Sequence, residues 1–222
     1  MHPVHYAEVL DDLRSAYDAQ VAAREQMPLA PWKAPLRTRF LERLRAEDRR
    51  SLVELGAGPG THGRYFADAG LDVVCTDLSP AMVAACRAKG LRAITADFLE
   101  LPARLTEPRD AAFAMNCLLH VPTVDLPRVL QAVHAVLVPS GLFFLGQYGG
   151  ISFQGVRPRD QDVPKRYFSF LPDAVLRTLV EVDFDVLDFE VVELPDGEEP
   201  GFHFQALTLR RRSTAAPRTH GG

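Results

Sequence analysis

Between Tyr6 and Glu25 the apolar residues Val9, Leu10, Leu13, Ala16, Tyr17 and Val21 recur at three- and four-residue steps, and the spacing predicts one amphipathic helix. The stretch Met27–Pro35 carries three prolines and ends it. Leu36, Phe40, Leu41 and Leu44 then form a second helical stripe. After Asp48-Arg49-Arg50 the pattern changes to short apolar runs separated by helical segments. Ser51–Leu55, Val73–Thr76, Leu91–Thr95, Ala111–Met115 and Leu142–Gly146 read as strands. Helices are expected from Thr61 to Ala69, stopped by Gly70, from Pro80 to Lys89 behind a Ser79 cap, and from Leu126 to Leu137. Such alternation implies right-handed crossovers and a mostly parallel sheet covered on both faces.

Beyond Gly149-Gly150 a polar loop, Arg157–Lys165, leads to Tyr167–Phe170 and a helix from Pro172 to about Glu181. Two long strands, Phe184–Leu194 and Phe202–Arg211, close the pattern as an antiparallel hairpin joined by Pro195–Gly201. The sheet is therefore expected to end with one strand running against the rest. The fold class is α/β, a doubly wound sheet of seven strands. Residues 1–50 form a helical lid, residues 51–212 the main domain, and residues 213–222, with almost nothing to bury, a disordered tail.

Composition narrows the function class. The 222 residues include 25 Lys+Arg and 29 Asp+Glu, a net charge of −4, which disfavours a surface that wraps nucleic acid. No apolar run is long enough to span a bilayer, and no signal-peptide pattern opens the chain, so a soluble cytoplasmic protein is expected. Cys75, Cys86 and Cys117 are too few and badly spaced for a disulfide framework or a metal site, and read as small buried hydrophobes.

The candidate chemistry lies in Val53-Glu54-Leu55-Gly56-Ala57-Gly58-Pro59-Gly60-Thr61. Glycines at a strand end let the backbone turn sharply and approach a ligand, and the following helix N-terminus aims free N–H groups at it. The dinucleotide fingerprint needs glycine at position 61, which is Thr, and no phosphate-loop lysine follows. Two acids add to the turn. Asp77, twenty-one residues after Gly56, stands where a carboxylate accepts both hydroxyls of a ribose, and Asp97, in Ala96-Asp97-Phe98, can accept an exocyclic adenine amine.

With these motifs the chain resembles the class I S-adenosylmethionine-dependent methyltransferases, of a bacterial small-molecule type. The resemblance spans about residues 50–150 and includes Val73–Met82, Ala96-Asp97-Phe98, Phe113–Pro122 and Leu137–Leu142. It implies a Rossmann-like fold and S-adenosylmethionine as cofactor. It places Gly56, Ala57, Gly58 and Thr61 along the methionine and ribose, Asp77 on the ribose diol, Leu78 and Met82 beside the adenine, and Asp97 and Phe98 at its polar edge. Asn116 and Leu118 would face the cofactor centre, Glu54 would order the glycine loop near the cofactor, and Tyr17 would reach it from a lid that the N-terminal helix forms with Trp32 and Lys33. Lys33 or Arg37 is a candidate partner for the cofactor carboxylate.

His120 is the candidate catalytic base, against a packing role. Tyr148, Tyr167 and His203 are candidate substrate residues, and Phe153, Tyr167, Phe168 and Phe170 could wall a pocket. No metal is expected. The reading is methyl transfer to O, N or C of a small metabolite, by a monomer or homodimer with no nucleic-acid or membrane partner. The alternatives are a protein or RNA methyltransferase and a non-catalytic cofactor-binding relative. Against the former, Asn116 is followed by Cys117-Leu118 rather than by two prolines and an aromatic.

Overall fold

A computed structural model describes residues 2–194 and 199–213 of the chain. Five strands, β1 (Ser51–Leu55), β2 (Asp72–Asp77), β3 (Arg92–Thr95), β4 (Arg109–Met115) and β5 (Leu137–Gly149), pair in parallel. With β8 (Phe184–Val192) and β9 (His203–Arg211) they form a seven-stranded sheet in the order β3-β2-β1-β4-β5-β9-β8. Apolar side chains alternate between its two faces. Leu52, Cys75, Phe113 and Phe144 meet α3 (Lys33–Ala46), α4 (Thr61–Asp68) and α5 (Pro80–Ala88). Val53, Val74, Ala112 and Leu145 meet α1 (Tyr6–Asp18), α6 (Leu101–Arg104), α7 (Leu126–Ala135) and α8 (Asp173–Val180). Phe113 stacks on Phe144 with centroids 4.8 Å apart and is closed in by Phe40 and Phe66. Burying each such ring contributes about 1.5–3 kcal/mol.

The last strand in the chain, β9, is antiparallel to both neighbours, as the hairpin implies. It does not end the sheet, however, but sits between β5 and β8. The cause is visible in the two strands. Phe204, Ala206, Leu207 and Leu209 bury both faces of β9, whereas β8 carries Asp185, Asp188 and Glu190, which suit an exposed edge.

Four other elements depart from expectation. The N-terminal stripe is not one helix: α1 stops at Asp18 and α2 (Val21–Gln26) starts anew. The Asp18 carboxylate takes the Ser79 hydroxyl and the Ala81 N–H, and the Gln20 amide reaches Asp162, so contacts with distant segments break a continuous apolar pattern. A short helix, α6, follows β3 after a turn in which the Asp97 carboxylate accepts the N–H groups of Leu99 and Glu100. Strand β5 begins at Leu137, which pairs with Arg109 before a register shift. Finally, β6 (Phe153–Val156) pairs with β7 (Tyr167–Phe170) in a separate two-stranded sheet. The expected tail from residue 214 onward and most of the turn at 195–198 lie outside the described residues. No helix among the described residues is long and apolar enough to cross a membrane, and the three cysteines are free and buried.

Candidate functional site

The turn after β1 is held open by three left-handed glycines, Gly56 (φ 57°), Gly58 (φ 54°) and Gly60 (φ 82°). They serve different ends. A Cβ at Gly56 would collide with Cβ of Cys117, whereas one at Gly58 would meet nothing within 4 Å. Gly56 thus lets β1 and the β4 end approach, and Gly58 faces open space.

That space is a cavity of about 330 Å³ at the carboxyl ends of β1, β2, β3 and β4, where ligands bind in doubly wound sheets. Gly56, Ala57, Gly58 and Thr61 form one wall, and Asp77, Leu78, Met82, Asp97 and Phe98 another. The Asp77 carboxylate accepts the N–H groups of Gly58 (2.8 Å) and Ser79 (2.9 Å). Burial pushes its pKa up against those two bonds. Tyr6 lies parallel to Phe98 at 5.9 Å and extends the apolar wall. At the far end Asn116, at φ 58°, lies beside the Tyr148 hydroxyl, and its Oδ1 is buried with no partner among the described residues.

Segments from both ends of the chain roof the cavity. Nδ1 of His120 lies 2.7 Å from the Tyr167 carbonyl oxygen, which only accepts, so Nδ1 carries the proton. Nε2 is then the acceptor for the Tyr17 hydroxyl at 2.6 Å. Arg166 donates to the same Tyr17 oxygen at 3.3 Å and is itself held by Asp160 and Asp162. The lone pair that would make His120 a base is therefore occupied.

Burial, chiefly, lowers the His120 pKa to about 3, and it does the same for His62, which lines the cavity beside Phe113. In the unfolded chain both return to the ordinary 6.5, so the unfolded state takes up protons first as pH falls. Stability is therefore complete above about pH 6.5 and declines toward pH 3. The limiting slope is about 1.4 kcal/mol per pH unit for each histidine. Melting temperatures measured between pH 7 and 4 are expected to fall less steeply in His62→Gln and His120→Gln, relative to each variant's own value at pH 7. Slopes parallel to the wild type would contradict the assignment.

Tyr17, His120, Asn116 and Tyr148 all line the cavity, with the glycine-turn and acid residues named above. Glu54, Leu118, Tyr167 and His203 are not brought there, and neither are Trp32, Arg37 and the aromatics Phe153, Phe168 and Phe170. Glu54 is fully buried behind the loop, where it takes the Cys75 thiol at 3.5 Å. Burial raises its pKa well above the usual range, and the thiol contact ties β1 to β2. Leu118 points into the core with Leu126 and Val129. The Tyr167 hydroxyl is spent on Gln154 (3.3 Å), and His203 pairs with Asp173 (2.8 Å). Phe153, Phe168 and Phe170 pack on one another rather than lining the cavity. Arg37 lies over the Tyr65 ring, 3.7 Å from its centre. Tyr6, Arg24 and His62 were not legible as site residues: each sits on a helix face whose target only the folded chain reveals.

The seven-stranded, mostly parallel sheet flanked by helices is the Rossmann-like methyltransferase fold. Residues 52–141 match the family model described as "Methyltransferase domain". The chain is 31% identical over 109 residues to the C-methyltransferase NovU of Streptomyces niveus, a match covering 47% of this chain and 26% of NovU. The chain thus spans about a quarter of that curated relative.

Among solved structures the fold is similar to the 1,6-didemethyltoxoflavin-N1-methyltransferase of Burkholderia thailandensis, determined with 1,6-didemethyltoxoflavin and S-adenosylhomocysteine. The TM-score is 0.71 at 20% identity, covering 96% of this chain and 93% of that one. An S-adenosylmethionine-dependent methyltransferase from Mesorhizobium loti is similar over 77% of this chain and 96% of its own, with TM-score 0.59 and 22% identity.

Proposed function

We propose that the protein is an S-adenosylmethionine-dependent methyltransferase acting on O, N or C of a small metabolite. One observation carries this reading: the glycine turn, Asp77, Asp97 and Asn116 surround a single cavity. The residues fit the cofactor. Gly58 leaves room where a side chain would intrude, and the Asn116 Oδ1 is a buried acceptor awaiting a donor such as an ammonium group. Asp77 would hold the ribose diol. The oxygen of Asp97 not engaged in capping would take the adenine amine, and Leu78, Met82 and Phe98 would flank the ring.

S-adenosylmethionine supplies an electrophilic methyl group on a sulfonium sulfur. The chain's share of the work is to align an acceptor in line with that bond and to exclude water. Residues 1–50 serve as the lid over the domain formed by residues 51–212. The Tyr17–His120–Arg166 chain latches this lid to the loop before β7 and leaves His120 a positioning group. Two of the relatives named above are a C- and an N1-methyltransferase, so the acceptor atom stays open between these classes. Three free buried cysteines suit a reducing cytoplasm, and the net charge of −4 suits a metabolite better than RNA.

Thermal unfolding with S-adenosylhomocysteine, S-adenosylmethionine and NAD tests the proposal. At ~100 Kd a ligand adds about 2.7 kcal/mol, roughly 5–10 °C at about 2–4 °C per kcal/mol for a chain of this size. Both sulfur ligands are expected to raise the melting temperature and NAD to leave it unchanged. A shift with NAD alone would refute the reading.

A further inference from the structure

His62, in the first turn of α4, lines the cavity with its ring centre 5.2 Å from that of Phe113. Its two ring nitrogens are not equivalent. Nδ1 lies 3.5 Å from a guanidinium nitrogen of Arg37, which only donates, so Nδ1 is the bare nitrogen and Nε2 carries the proton. Arg37 is in turn held over the face of Tyr65. The Nε2–H has no hydrogen-bond partner among the described residues, yet it is not sealed in the core, and the cavity is where it can find one. Burial, with the cations Arg37 and Lys33, brings the His62 pKa down to about 3, so the ring is an uncharged donor at neutral pH.

The neighbouring groups indicate what the donor is for. Lys33 acts on His62 and lies 5.4 Å from the ring centre of Tyr148, which stands beside Asn116. The buried Oδ1 of Asn116 is the acceptor assigned above to the cofactor's ammonium. In an amino acid the ammonium and the carboxylate share one carbon, so the carboxylate finds its donors next to Asn116. Lys33, whose ammonium is set among the rings of Trp32, Tyr148 and Phe204, leaves lone pairs on those oxygens for a second donor. Arg24 adds positive potential from the roof, where it packs on the Tyr17 ring. The carboxylates that line the cavity, Asp77 and Asp97, stand instead at the ends of β2 and β3.

We propose that His62 is a cofactor-binding residue, whose Nε2–H, oriented by Arg37, donates to the cofactor's carboxylate beside Lys33. The proposal rests on the methyltransferase reading and adds to it a residue that reads the amino-acid end. A neutral ring suits the place. Protonated, it would turn a second N–H on Arg37, whereas the fixed tautomer has its donor aimed before the ligand arrives.

Titration calorimetry on the full chain tests this with S-adenosylhomocysteine and with 5′-methylthioadenosine, which keeps the nucleoside and the sulfur but has no amino-acid end. His62→Phe is expected to weaken S-adenosylhomocysteine about tenfold, the loss of one charge-assisted bond, and to leave 5′-methylthioadenosine within about threefold. His62→Gln keeps an N–H donor of similar reach and is expected to bind S-adenosylhomocysteine within about threefold of the wild type. Equal losses of both ligands in His62→Phe and His62→Ala, each with a cooperative melting transition retained, would overturn the proposal, because a residue that only shapes the cavity moves both. Unchanged binding of S-adenosylhomocysteine in those two variants would overturn it as well. Failure of the wild type to bind either ligand would sink the methyltransferase reading beneath it.

Discussion

Asp77→Ala is expected to weaken S-adenosylhomocysteine binding by about a hundredfold or more. A carboxylate accepting two ligand hydroxyls makes two charge-assisted bonds, each contributing about 1.5–3 kcal/mol, and about 1.4 kcal/mol is a factor of ten in affinity. The same substitution takes the acceptor from Gly58 N–H, which positions the glycine turn, and from Ser79 N–H ahead of α5. The free protein is expected to suffer less than the complex, because removing a carboxylate whose burial is unfavourable offsets part of the lost bonding. Asp77→Asn keeps one acceptor oxygen and is expected to fall between the two. Titration calorimetry on all three proteins decides the matter: affinities within threefold of one another would remove Asp77 from the ligand.

Gly56→Ala is expected to destabilise the fold by about 2–5 kcal/mol, the sum of two separate costs. Alanine in the left-handed region costs about 1–2 kcal/mol. The new methyl would also come within 3.0 Å of Cys117 Cβ, and crowding in a packed interior costs about 1–3 kcal/mol. Cys117 has little freedom to retreat, since its thiol donates to the Leu55 carbonyl at 3.2 Å and it precedes the turn containing His120. At about 2–4 °C per kcal/mol, the melting temperature should drop by roughly 4–20 °C. Gly58→Ala is the control: it has the same backbone handicap but open space around it, so it should lose cofactor affinity with only the smaller stability cost. Equal melting temperatures for the two variants would show that the contact with Cys117 does not matter.

Much of this arrangement was legible before folding. The β1 strand, the glycine turn and the Ser79 cap with Pro80 behind it appear where local rules put them, because each depends on residues within a few positions. Asp77 and Asp97 could be found as ligand candidates because strand ends in a parallel sheet converge on one rim. The side chains that roof the cavity were harder to read. Arg24 and Lys33 stand in a segment of broken periodicity around Pro28, Pro31 and Pro35, and Tyr6 belongs to an ordinary amphipathic stripe. His203 and Tyr167 misled for the opposite reason: they are polar groups near the right strands, but each is already spent on Asp173 or Gln154.

By itself, the sequence determined the alternation of strands and helices, the turn that three glycines make, and the position of the acids beside it. These follow from periodicity, φ preferences and capping, all short-range. The tertiary structure alone decided that α1 and α2 separate, that β9 lies inside β8, and that Tyr17 closes on His120 while His120 loses its free lone pair. It also left Lys33 facing the cavity with no acid partner among the described residues. Each of these outcomes depends on which distant groups compete for the same hydrogen bond or the same apolar surface, and that competition exists only once the chain has closed on itself.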